Sequence, residues 1–200
     1  QVSDSARVSD SARVFGSAQV SDSARVSDSA RVFGEAQVSD SARVSDSARV
    51  FGSARVFGEA QVFGSAQVSG EARVSDSALV FGSAQVSDSA RVYSSAHVFN
   101  NAWVFGEAQV SDSARVSDSA RVFGSARVFG EAQVSGPDQI KHGNAKGRSG
   151  SYPYTIVKGY GFVWGCRSGP SIKAWIESQG DYGPETDAVL LIALEAELNK

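Results

Sequence analysis

Imidazole and thiol groups are scarce in this 200-residue chain: His97, His142 and Cys166 are all it has. Two histidines and one cysteine without ligand spacing do not make a metal site, and a lone cysteine excludes an internal disulfide. Cys166 with His142 is a formal nucleophile–base pair, but no motif surrounds either residue, and a buried, inert thiol is the plainer expectation. The glycine-rich run GNAKGRSG at 143–150 lacks the preceding strand and following helix of a phosphate-binding loop. That leaves His97, which sits in the one chemically varied stretch of a monotonous region, RVYSSAHVFNNAWVFGEA at 91–108. A general base needs an orienting group and a cleft. Asn100 and Asn101 are at hand for the first, and the sequence shows nothing of the second. The expectation is therefore no catalytic residue, no metal and no cofactor, with His97 as general base the one enzymatic alternative.

The stretch around His97 belongs to a six-residue unit, V-S-D-S-A-R or V-F-G-S/E-A-Q/R, running from Gln1 to about Gly136. Valine occupies every sixth position from Val2 to Val134, and alanine follows four residues later from Ala6 to Ala132. Residues 1–18, 37–54 and 109–126 are identical, so a period of 18 lies over the period of six. Ala and Val two apart, with a long polar residue between them, make a short strand with one inward face. Ser-Asp or Phe-Gly, then Ser or Glu, are turn formers. Strand and turn in alternation build a parallel β-helix. Three units per coil give a triangular prism lined by Val and Ala. Counting Ile140, the valine register predicts about eight coils, or ~38 Å at ~4.8 Å per coil.

The valine-based hexapeptide with alanine four residues on resembles the left-handed parallel β-helix of bacterial hexapeptide-repeat proteins, a family that includes acyltransferases. Runs of V-[S/F/Y]-[D/G]-x-A-[R/Q/W/H] resemble, more closely, hexapeptide proteins of bacteria and their phages. The resemblance covers about two-thirds of the chain and implies left-handed coiling. For function it implies two alternatives. One is a non-enzymatic structural or protein-interaction scaffold, in the bacterial cytoplasm or a phage particle, self-associating as a parallel homotrimer or binding another protein. The other is an acyltransferase-like enzyme using acetyl-CoA with His97 as base. Members of that second class often extrude a loop from a coil, and residues 1–136 contain none. The three identical 18-mers also admit a consensus-designed repeat.

Successive coils stack outward side chains into columns. Phe15, Phe33 and Phe51 form one ladder, resumed by Phe105 and Phe123. Phe63, Phe81 and Phe99 form a second, while Phe57, Tyr93 and Phe129 stand apart on the third edge. Stacked rings either cover the turn backbone or form an apolar stripe that seeks a partner. Phe15, Phe33, Phe51, Phe63, Phe81 and Phe99, with Tyr93, His97, Asn100, Asn101 and Trp103, make the expected interaction surface. Arginines form columns of their own, and the Asp columns beside them are expected to offset the repulsion.

The repeat holds 12 Arg, no Lys and 15 acidic residues, and the segment after Gly136 holds 7 of each sign, for a net charge of −3. That balance excludes a basic nucleic-acid surface. No apolar run reaches the length of a membrane helix, and no signal-peptide pattern appears. The chain carries no methionine, so an initiator or further residues are expected upstream. Beyond Pro137 the composition changes. Residues 137–150 read as a linker or last coil, and 151–200 as a small ββαα cap, an α+β domain. Its hairpin is Tyr152–Val157 with Tyr160–Trp164, and its helices are Ser171–Gln179 and Thr186–Asn199. Its expected role is to cover the end of the prism.

Overall fold

A computed structural model describes residues 1–147, 150–158, 161–164, 167–169 and 195–196. Twenty-two two-residue strands follow one another along the repeat, from β1 (Arg7–Val8) to β22 (Gln133–Val134). They sort by threes into parallel sheets of eight, seven and seven strands. Each strand pairs with the third one on, so that Arg7 partners Arg25 and Leu79 partners His97. The result is a three-sided prism of about seven coils.

Each unit contributes one Val and one Ala to the interior, and every such residue from Ala18 to Val134 is buried to 1% exposure or less. A narrow prism has room for an isopropyl and a methyl group per side, and the alternation fills it at ordinary packing density. Burial of each Val side chain contributes roughly 1.5–3 kcal/mol. The main chain is satisfied between coils. Arg7 N–H donates to Ala24 C=O at 2.9 Å and Ser9 N–H to Val26 C=O at 3.0 Å, and the same offset repeats along the stack.

Each turn carries a left-handed residue two positions after the valine. All 22, from Asp4 to Gly130, have φ between 53° and 74°. They are Gly or Asp, with Asn100 and Ser94 the exceptions. Gly has no Cβ to clash there, and Asp and Asn tolerate the conformation through local hydrogen bonds. Asp adds a second bond: Asp40 Oδ2 accepts the N–H of Gly58 one coil on at 2.9 Å, and Asp76 Oδ2 that of Ser94 at 2.9 Å. At some Ser-Asp corners the Ser hydroxyl donates to the neighbouring carboxylate, as Ser27 does to Asp28 at 2.8 Å and Ser21 to Asp22 at 3.0 Å. The Asp columns thus join coil to coil through the backbone, a role the sequence reading did not give them.

The prism ends one wall position earlier than the valine register suggests. Ile140 does not take the next wall position; it opens β23 (Ile140–Gly147), which pairs antiparallel with β24 (Gly150–Val157). β25 (Gly161–Trp164) and β26 (Arg167–Gly169) complete a four-stranded antiparallel sheet. The segment read as a linker is therefore mostly strand, because Gly and Lys there are held by pairing with β24, which local composition does not reveal.

This sheet packs against the end of the prism. In the wall pattern Arg127 N–H would donate to the carbonyl of residue 144, which has left the wall. The hydroxyl of Thr155, buried in β24, accepts that bond at 2.9 Å instead. Val157 joins the hydrophobic core, with Ile140 packed against it. Gln139 Oε1 accepts the amides of Ser135 and Gly136 at 2.6 and 3.2 Å. Cys166 and both expected helices lie outside the described residues, apart from a helical pair at 195–196.

Candidate interaction surface

The corner preceding each left-handed residue carries the Phe or Ser side chain, and stacking of identical corners sets ring on ring. Phe15, Phe33 and Phe51 lie 5.0 Å apart between centroids, tilted by 2–3°. Phe63, Phe81 and Phe99 lie 4.9 and 5.0 Å apart, tilted by 1–4°. Parallel strands at one coil rise hold rings near-parallel and close to the coil spacing, inside the favourable range for aromatic pairs. Both expected ladders therefore exist, and the resumed ladder of Phe105 and Phe123 is looser, at 5.4 Å and 12°. His142, from β23, meets the face of Phe123 edge-on at 4.5 Å and ends that ladder. Burial lowers the pKa of His142, which fits a neutral ring packed on an aromatic face. Phe15 stays 50% exposed, and Phe33, Phe51, Phe63, Phe81 and Phe99 are half-buried.

The coil at 91–108 is placed as follows. His97 sits on the eight-stranded wall between Leu79 and Arg115. Its pKa is lowered, first by burial and then by the Arg115 guanidinium. Its in-register neighbours are thus an aliphatic side chain and a cation, neither of which orients an imidazole for proton abstraction. Asn100 Nδ2 donates to Asp118 Oδ1 at 2.7 Å, and Asn101 is exposed on the turn. Trp103, on the neighbouring wall, is 42% exposed, meets Phe105 edge-on at 6.5 Å, and lies under the Arg121 guanidinium at 5.3 Å. The five residues singled out at 93–103 therefore occupy two walls and two corners and do not converge on one cleft.

Two features were missed. A groove of ≈ 580 Å³ runs along one wall beside Arg7, Arg25 and Arg43 and the serines of the adjoining corner, ending where the Phe63 ladder begins. The second is a notch of ≈ 240 Å³ at Phe57, Ser75 and Tyr93. Its signal was present in the even spacing of Phe57, Ser75, Tyr93, Ser111 and Phe129, which belong to one column and do not stand apart.

Residues 66–82, about one coil, match the family model described as YdcK Beta solenoid repeat. By its repeat and its three parallel walls, the fold is a parallel β-helix of six-residue units. No curated protein and no solved structure matches it. Among the described residues no helix is long and apolar enough to cross a membrane, and no group of three or more His, Cys, Asp or Glu residues is placed to hold a metal.

Proposed function

We propose that this β-helix is a non-enzymatic scaffold whose phenylalanine ladders bind protein, first of all other copies of the same chain, as a parallel homotrimer. The observation that carries the reading is the geometry of the ladders. Rings held within 1–4° of parallel on a main chain hydrogen-bonded at every coil form a rigid apolar edge. Docking such an edge orders little that is not already ordered, and preorganisation of this kind favours association. Aromatic side chains are also the residues most enriched at protein interfaces.

The repeat supplies its own control. Replacing Phe33 and Phe81 by Ser rewrites two units as V-S-G-x-A, the spelling the chain carries at Val68–Ala72, without touching the core or the turn glycines. Light scattering coupled to size exclusion is expected to show a defined oligomer for the parent chain. The two-substitution variant is expected to run as a smaller species with an unchanged far-UV circular dichroism spectrum. A parent chain that remains monomeric at about 100 μM, where weak association already populates complexes, would remove self-association from the reading.

A further inference from the structure

The third corner column alternates ring and hydroxyl: Phe57, Ser75, Tyr93, Ser111, Phe129. In the filled ladders one coil separates near-parallel rings by 4.9–5.0 Å. Phe57 and Tyr93 stand two coils apart, about 9.6 Å at ~4.8 Å per coil. That is the separation of the outer rings of a three-ring ladder whose middle ring is missing. Ser75, on the coil between them, is too short to fill the space, and the notch of ≈ 240 Å³ opens there.

The walls of the notch are charged. Arg73 and Arg91 stand in register on adjacent strands and are both exposed. As strand residues two positions before Ser75 and Tyr93, they share the outward face with the notch. Asp76 is the carboxylate lining it, and its Oδ2 already accepts the Ser94 amide. Two guanidinium groups against one engaged carboxylate leave an excess of positive charge. The equivalent position one step along the column is closed: Ser111 is only 7% exposed, and the Tyr93 hydroxyl reaches over to Gln109 Oε1 at 3.5 Å.

We propose that the slot between Phe57 and Tyr93 binds a planar aromatic carboxylate one ring thick, the ring completing the ladder and the carboxylate pairing with Arg73 and Arg91. Stacking on two faces selects a flat π-system, and the guanidinium fork matches a carboxylate in shape as well as charge. A saturated ring of the same charge cannot lie in the slot, and a neutral aromatic leaves the arginines unanswered.

The test is calorimetric titration of the full chain with 2-naphthoate, beside cyclohexanecarboxylate and 2-naphthamide. Binding is expected for 2-naphthoate, with both comparators weaker by about tenfold or more, the scale of one lost charged hydrogen bond or stacking partner. Ser75→Phe with Asp76→Gly turns this unit into the V-F-G-S-A spelling used elsewhere in the chain, so it fills the slot while keeping the fold; it is expected to abolish binding. Arg73→Gln, which installs the residue that this wall already carries at Gln37 and Gln109, is expected to weaken binding about tenfold. Absence of heat at about 5 mM 2-naphthoate, undiminished binding by the filled-slot variant, or equal affinity for cyclohexanecarboxylate would each overturn the assignment.

Discussion

Asp40 and Gly58 occupy the same corner position one coil apart, and the difference between them shows what a single residue must do here. Both turns are left-handed, at φ 59° and 72°. Gly58 meets the demand by having no Cβ; one added there would lie 2.8 Å from the Asp76 amide nitrogen. Asp40 meets it with a carboxylate that bonds the next coil. Asp40→Ala retains the strained conformation and loses the bond, so it is expected to cost about 1–2 kcal/mol, while Asp40→Gly relieves the backbone and costs less than half of that. Urea unfolding of the two variants measures the order. His97 gives a pH-linked prediction at the same scale. Its folded pKa lies below the ordinary value of about 6.5, so the unfolded chain takes up the proton first as pH falls. The stability it contributes is present above that value and is lost as pH drops below it. Replacing Arg115 with Gln removes the second cause of the shift, and the His97 midpoint, followed by NMR titration of its ring protons, is expected to move upward toward the ordinary value.

At the scale of elements, a two-residue strand is too short to persist alone, and its stability resides in its neighbours above and below. The consequence is sharpest where the stack ends. Thr155→Val keeps the shape of β24 but leaves the Arg127 amide without its acceptor, which is expected to cost about 1–3 kcal/mol. Thermal melts together with hydrogen exchange at Arg127 test this, and the amide is expected to lose protection before those of interior coils. The ladders are likewise properties of elements. Each Phe pair contributes about 0.5–1.5 kcal/mol beyond its burial, so the ladder-to-serine variant described above is expected to lose stability as well as association.

For the whole molecule the number that matters is 18. Deleting residues 37–54, an identical copy of 1–18, removes one coil and leaves every other column aligned. Deleting 85–90 keeps the Val and Ala register but turns everything downstream by one face, which takes Phe99 off Phe81 and Tyr93 away from Phe57. Both products are expected to give β-rich circular dichroism spectra and cooperative melts. The shorter deletion sets Phe99 over Ser75 and Phe57 in place of Tyr93, and His97 beside Arg73 in place of Arg91, so it is expected to keep the slot and to weaken 2-naphthoate binding through the lost guanidinium.

Most of this prism is legible in the residues themselves. Val every six and Ala four later dictate an inward face of fixed volume, the identity of whole coils sets three sides, and the Phe spacing places the ladders. Composition also separates the segment after Gly136 from the repeat. These features depend on local periodicity, which a linear chain records directly. Tertiary structure decided the rest. The sequence does not tell whether Ile140 continues the wall, because its spacing fits; pairing of 140–147 with β24 takes it out. Nor does composition reveal that Asp carboxylates bond the amides of the next coil, since acceptor and donor lie a whole coil apart along the chain. The notch at Ser75 is of the same kind. Two rings and a gap become a slot only when three coils are set one above another, and its charge arises only because Arg73 and Arg91 share that face.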